Sequence, residues 1–452
     1  MTDRLVALAL TPILALCFVA LGELILWRSS SKLWQLNQAL LIGLIASSAA
    51  LFPLSLMLRR HALIVLLIGL ILGFFLRLWM LKFWALSFTF GKRLDFLSGF
   101  FVLWIAGGLS LFALSQMTYS YAWDGYQIWA TKAQILYYNG GLTKDFLVSN
   151  APDRLASYPP MVPLSEALLA KISGAFHVER LKPLFILYFC SLAIAVYYSA
   201  RQMGSSRFAL GITALVVTIP GLGMGTNVGG YADMPQAVIL AAFVGAALES
   251  PGQASRSPLP WLLGGLPFVK NEGFVMYWIA CAMILLFWIS DTRTPFLARL
   301  RRNATAISLA AVLALLRLGY LQWVGVADPS FPRVERPILI RALCRIPEVA
   351  RLCLGEMLNW RHWAIVWPLF LLAAIYVAVY LRGKIPLVAF GTVLTLIAYG
   401  SIYLFTNWTV KVHLDNSFDR LLAQLIPAAL VTLGAAFRHA VRERAPANAA
   451  NS

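Results

Sequence analysis

The sequence predicts an all-α fold, a polytopic bundle of about thirteen transmembrane helices, and three observations carry that prediction. Of 452 residues, 60% are hydrophobic and only 12% charged, with a mean hydropathy of +0.76; a soluble domain carries about twice that charged fraction. Apolar runs near the length that crosses a hydrocarbon core, roughly 20 residues for about 30 Å, recur between charged or turn residues. The Lys and Arg residues behind the net charge of +18 fall mainly between those runs, where they orient spans and meet anionic lipid. That placement argues against nucleic acid as a partner.

In chain order the candidate spans lie near 5–27, 37–57, 62–86, 97–118, 183–200, 208–222, 232–248, 258–270, 273–290, 303–325, 362–381, 385–406 and 420–437. The runs at 208 and 258 are short, as expected of tilted or broken helices covered by neighbours. The first run lacks a small-residue cleavage site and contains Glu23, so it reads as a retained span and not a signal peptide. Three parts follow: 1–96 as extra N-terminal spans, 97–437 as the core bundle, and 438–452 as a basic tail, disordered from about Ala445. Cys17, Cys190 and Cys281 lie inside apolar runs as small hydrophobes. On one continuous helix Cys344 and Cys353 stand about 13 Å apart, too far to bridge; a break at Pro347 leaves a disulfide open.

Thirteen spans put Arg28/Lys32, Lys92/Arg93, Arg201/Arg207, Arg256, the run from Arg293 to Arg302, Arg382/Lys384 and Arg438/Arg442/Arg444 on one side, which the positive-inside rule makes cytoplasmic. Arg59/Arg60 fall on the other side and disagree with the rule. Two long loops, 119–182 and 326–361, are then extracytoplasmic. The second interleaves Arg333, Arg336, Arg341, Arg345 and Arg351 with Ile, Leu and Val. That is an amphipathic, interfacial pattern, suited to resting on lipid headgroups or to gripping a lipid-linked phosphate.

Sorted by side, the unusual polar residues converge. Asp124 opens the first long loop in "YAWDGYQIWATKA"; "GGYADMP" carries Asp233 at the outer end of a span; "FVKNEGF" carries Lys270, Asn271 and Glu272 in an outer turn; "VKVHLDNSFDRLLAQLIP" carries His413, Asp415, Asp419 and Arg420. Four distant segments thus bring carboxylates and cations to one face, where ionisable groups are costly and usually functional. Simpler readings exist for each: a loop carboxylate within an aromatic belt for Asp124, a helix N-cap for Asp233, a local ion pair for Lys270 and Glu272, a snorkelling side chain for Arg420. GxSxG, HExxH, P-loop and CxxC patterns are absent. "GLGMGTNVGG" lacks a cradle's Lys and reads as permissive backbone. His413 is a weak candidate metal ligand.

Over roughly 97–437 the motifs resemble the GT-C superfamily of integral membrane glycosyltransferases, especially bacterial protein mannosyltransferases and lipid A aminoarabinose transferases. The carriers are "WDGYQIWATKA", the Tyr-Pro-Pro segment in "ASYPPMVPLSEALLA", "GYADMP", "KNEG" and "HLDNSFDRLLAQLIP". The chain departs from the pattern in having no second carboxylate beside Asp124 and in three spans ahead of the loop. The resemblance implies transfer of a sugar from a polyprenyl phosphate donor to an extracytoplasmic acceptor, in a bacterial inner membrane. The acceptor class stays open among lipid, lipopolysaccharide, polysaccharide and protein. It also leaves open a divalent cation, Mg or Mn.

For such a transfer the phosphate leaves readily if cations stabilise it, and a base must take the acceptor's proton. Asp124 is the first candidate base and Asp233 the second, with inversion at the anomeric carbon. Lys270, Arg420, His413, Arg341 and Arg345 are candidates for the donor phosphate. Trp123, Tyr126, Trp129, Tyr158, Glu272 and Asp415 are candidates for contacts with the substrate. Competing readings are a flippase of lipid-linked sugars, which favours ionisable groups near the midplane, and an O-antigen ligase or polymerase with a diphosphate-linked donor.

Overall fold

A computed structural model describes residues 2–27, 32–81, 95–144, 147, 156–223, 229–249, 257–290, 295–325 and 336–449. Among these the chain is helical throughout and contains no strand. The helices are α1 (Thr2–Leu26), α2 (Leu33–Leu58), α3 (Ala62–Leu81), α4 (Phe96–Thr118), α5 (Thr131–Asn139), α6 (Met161–Ile172), α7 (Pro183–Arg201), α8 (Ser206–Thr218), α9 (Pro220–Gly223) and α10 (Asp233–Leu248). They continue with α11 (Leu259–Gly265), α12 (Gly273–Ser290), α13 (Phe296–Arg302), α14 (Ala304–Val324), α15 (Arg336–Met357), α16 (Trp360–Trp363), α17 (Val366–Tyr380), α18 (Lys384–Ile402), α19 (Val410–Asp415) and α20 (Phe418–Ala449). Of the predicted basic positions, Arg28, Lys92, Arg93, Arg256, Arg293 and Arg333 lie outside the described residues.

Eight helical segments are long and apolar enough to cross a membrane by length and composition, and four shorter apolar helices, including Ser206–Thr218 and Leu259–Phe268, accompany them. The chain is therefore a helical bundle of multi-pass membrane type. Leu33–Met80 counts as one of the eight, yet it is interrupted by a 3₁₀ turn at Arg59–His61, with Arg59 at a φ of 46°. Both α2 and α3 pack on α1, so the chain reverses there. Residues flanking that turn meet the first long loop: Leu63 N–H donates to the Gly140 carbonyl at 2.7 Å, and Leu142 N–H to Ser55 Oγ at 3.0 Å. Arg59 and Arg60 thus share an end with residues 140–142 despite the charge rule, held there by local backbone pairing.

At the opposite end Asp95 pairs with Arg207 at 2.6 Å and Lys384 donates to the Glu249 carbonyl at 2.7 Å. Each contact joins two helix ends that the charge sorting places on one side. Helices α1 to α3 are also sewn into the rest, since Asn37 and Ser191 exchange hydrogen bonds of 2.5 and 3.1 Å between α2 and α7.

Helix α20 runs through the middle of the bundle, touching α7, α8, α10, α15, α17 and α18. Its residues Leu421, Leu422, Ala423, Leu425, Ile426, Ala428 and Ala429 are nearly all fully buried, the pattern of a helix apolar on every side. That position sends Arg420, in its first turn, into the protein. The helix continues to Ala449, beyond the expected end at 437 and into the tail expected to be disordered from Ala445.

The second long loop contains α15, and Pro347 lies inside it without breaking it. Cys344 and Cys353 are then about 13 Å apart along one helix, and all five cysteines are free; the open disulfide is excluded. Leu339, Ile340, Leu343 and Ile346 are exposed. Arg341 and Arg345, one turn apart on the same face, are half-buried.

Candidate functional site

Residues 121–133 enter the site by way of a π-helical turn. Asp124 precedes the π-helix Gly125–Ala130, and Thr131 Oγ1 donates to the Tyr126 carbonyl at 2.8 Å, caring for one of the backbone groups that the wider turn displaces. The turn is pinned by the Gly-rich segment. Ala122 N–H donates to the Gly229 carbonyl at 3.0 Å, and a Cβ on Gly125 would stand 1.9 Å from that same oxygen. Gly230 adopts a φ of 81° against the Tyr121 ring, a conformation glycine reaches without steric cost. Gly229 and Gly230, at the end of the stretch read as permissive backbone, therefore clamp the turn that carries Asp124, while 224–228 of that stretch lie outside the described residues.

The carboxylates and cations from four segments form one alternating chain. Asp124 Oδ2 accepts from Arg420 NH1 at 2.5 Å across 296 residues of sequence. Arg420 Nε faces Asp233 Oδ2 at 3.8 Å, and its guanidinium lies over the Tyr231 ring at 4.6 Å. Asp233 Oδ1 accepts from Lys270 Nζ at 2.8 Å and from Gln424 Nε2 at 2.6 Å. Lys270 Nζ continues to Glu272 Oε1 at 3.1 Å. Burial alone would push the Lys270 ammonium down; Asp233 and Glu272 outweigh it and hold the group charged, above the ordinary lysine value.

The simpler readings divide. Asp233 is not an N-cap: Ala232 occupies that position, and the Asp233 carboxylate turns to Lys270 and Gln424. Arg420 does not snorkel, while Lys270 and Glu272 do form the local pair. Among the described residues, Asp233 Oδ2, Glu272 Oε2, Asp419 Oδ1 and Arg420 Nε are buried without a hydrogen-bond partner. Of these, Asp233 Oδ2 and Arg420 Nε face each other at 3.8 Å, beyond hydrogen-bond reach.

The remaining candidates are distributed around this chain. Trp123 and Tyr126 are exposed at 69% and 46%, flanking Asp124 on its open side, whereas Trp129 is buried edge-on against Tyr158 at 5.2 Å. His413 and Arg345 meet elsewhere: His413 Nδ1 lies 2.7 Å from Thr406 Oγ1, and Arg345 NH1 donates to the Thr406 carbonyl at 2.7 Å. Tyr403 joins that group to α20, packing edge-on against His413 and hydrogen-bonding Ser417 Oγ at 2.7 Å. Asp415 is exposed, and Arg341 Nε and NH2 have no hydrogen-bond partner among the described residues. No described group of three or more His, Cys, Asp or Glu is arranged to hold a metal ion.

Sequence reading missed the supports. Gln424 sits four residues after Arg420 on α20, a same-face spacing that was legible. Arg317 was not: from the buried side of α14 it donates to Asn271 Oδ1 at 2.7 Å and to the Ser157 carbonyl at 2.6 Å, tying the Lys270 turn to the Tyr-Pro-Pro segment. Beneath Asp124, Tyr121 donates to buried Glu166 at 2.8 Å. Burial raises the Glu166 carboxyl from 4.5 to about 8, against the opposing pull of the Tyr121 hydroxyl and Lys182.

Between those values the folded protein keeps a proton on Glu166 that the unfolded chain has released. Stability from this group therefore falls as pH rises through the window and levels off above it. Glu166→Gln is expected to remove a fall in melting temperature on the order of 5 °C between pH 5 and pH 8, measured by thermal unfolding in detergent.

Comparison of the chain with protein-family models, with curated proteins and with solved structures found no match.

Proposed function

We propose that this chain is a membrane glycosyltransferase, a thirteen-span bundle of the GT-C kind in a bacterial inner membrane, moving a sugar from a polyprenyl phosphate to an extracytoplasmic acceptor. The observation that carries the reading is the chain Asp124–Arg420–Asp233–Lys270–Glu272, assembled from four segments at one end of the bundle. Within it Glu272 Oε2 is buried without a hydrogen-bond partner among the described residues, and Asp233 Oδ2 meets Arg420 Nε only at 3.8 Å, so the chain keeps polar capacity for a ligand. Its position at one end favours chemistry there over passage through the midplane.

The two aspartates take different roles. The Asp233 side chain is 1% exposed and already engaged by Lys270 and Gln424, so it positions the cations. The Asp124 side chain is 23% exposed and bound only at one oxygen by Arg420 among the described contacts. Asp124 is the base. The acceptor's oxygen attacks the anomeric carbon, the bond from that carbon to the phosphate oxygen breaks, and the acceptor's proton passes to Asp124. The configuration inverts, and the polyprenyl phosphate leaves as an anion.

Arg420 receives that developing charge, with Lys270 behind it, because preorganised cations in a low-dielectric site stabilise a leaving anion strongly. Trp123 and Tyr126 offer aromatic faces to the sugar beside the base.

The carboxylates do not fit a divalent cation: they alternate with Arg420 and Lys270, which offset two of the three negative charges and stand between the acids, and no step of the transfer is routed through metal. Activity is expected to persist in excess EDTA; its loss, with recovery on adding Mg or Mn, would contradict that assignment.

The reading is tested by mass spectrometry of glycans and lipids from cells lacking the chain. A missing sugar on one acceptor, with its polyprenyl phosphate donor accumulating, is expected. An unchanged set of glycans would overturn it.

A further inference from the structure

A cavity of about 720 Å³ opens between α10, α12, α18 and α20, away from the ion chain. Its walls are apolar, with Phe243, Met276, Met283 and Leu425 among them. Flexible thioethers adapt such a wall to irregular hydrocarbon. Along α12 it extends from Met276 to Trp288, about 18 Å of helix at the α-helical rise. That approximates the depth of one leaflet, half of a core about 30 Å thick.

The two ends differ in chemistry. At one end the cavity reaches Met276, whose sulfur accepts from Gln236 Nε2 at 3.2 Å, and Leu425, next to the Gln424 that holds Asp233. The other end is lined by Arg299, Arg302 and Lys384 against a single carboxylate, Glu249. Arg302 is exposed, Arg299 is buried with one arm on the Trp288 carbonyl, and Lys384 donates to the Glu249 carbonyl at 2.7 Å. The cationic end is the one predicted to face the cytoplasm, where anionic headgroups concentrate.

We infer that this cavity binds one anionic phospholipid from the cytoplasmic leaflet, an acyl chain lying between α10 and α12 and its phosphate held by Arg299, Arg302 and Lys384. The wall is too apolar for a free anion, and the excess of cations at the mouth selects against a zwitterionic or neutral lipid. The chain end of the bound lipid then packs one layer behind the Asp233 network. Membrane lipid thereby becomes part of the support of that network from the far side of the bilayer.

The test uses the full chain purified in detergent, titrated separately with phosphatidylglycerol and phosphatidylcholine and followed by native mass spectrometry. One tightly retained phosphatidylglycerol is expected, bound more strongly than phosphatidylcholine by about fivefold for each cation that contributes. Arg302→Gln with Lys384→Gln should cut the preference to the roughly fivefold left by Arg299, while Ala247→Trp, which fills the wall near the mouth, should remove the retained lipid. Equal binding of the two lipids by the unaltered chain would overturn the proposal without recourse to any variant. So would a preference that the double substitution leaves undiminished, or a dimer that Ala247→Trp dissociates, which would assign the cavity to a second copy.

Discussion

Asp124→Asn yields a chain that inserts and folds as the parent does but no longer transfers sugar, with a rate loss of about 10²- to 10⁴-fold, the contribution of a positioned general base. The substitution is nearly isosteric and keeps an oxygen for the Arg420 hydrogen bond of 2.5 Å. The π-turn is pinned through Ala122, Gly125 and Gly229 and not through the carboxylate, so the backbone has no reason to move. Expression of the variant in cells lacking the chain, followed by mass spectrometry of their glycans, reads the loss. Restoration of the sugar at the parental level would remove Asp124 from the chemistry and leave it a structural partner of Arg420.

The second large effect is on stability. Lys270→Met leaves the Asp233 carboxylate, 1% exposed, with Gln424 and a distant Arg420 alone. Breaking a buried ion pair from one side costs about 3–5 kcal/mol, because a charge remains without compensation. Lys270→Met combined with Asp233→Asn removes both charges together and is expected to recover more than half of that loss. Transfer stays low in both variants, since Lys270→Met removes the cation behind Arg420 and the double substitution also removes the carboxylate that positions it. Thermal unfolding of these two variants and of Asp233→Asn alone closes the cycle, and a coupling energy near zero would show that the 2.8 Å contact contributes little.

The parts of this architecture that depend on sequence pattern were legible. Apolar runs and the distribution of Lys and Arg gave the helices, and sorting charges by side brought Asp124, Asp233, Lys270, Glu272 and Arg420 to one end before any distance was known. What pattern cannot supply is the direction in which each side chain turns. Trp123 and Trp129 look alike in sequence, yet the wider π-turn exposes the first and buries the second.

His413 and Arg345 share an end of the bundle with the ion chain but turn to Thr406, because short α19 and α15 meet there. Pro347 looked like a helix break, but it sits within α15 without interrupting it. Arg317, inside an apolar run, carried no sign of its task; its partners Ser157 and Asn271 come from loops 160 and 46 residues away.

The central claim, that this ion chain moves a sugar and does not merely pass its carrier, is tested most directly by reconstitution. Purified protein is placed in vesicles with lipid extract from cells lacking it, and free polyprenyl phosphate is measured alongside the glycosylated acceptor. The account predicts that the two products appear in equal amounts with the parental chain, and that neither appears with Asp124→Asn. Movement of an intact sugar-bearing lipid across the vesicle, with no release of polyprenyl phosphate, would contradict it.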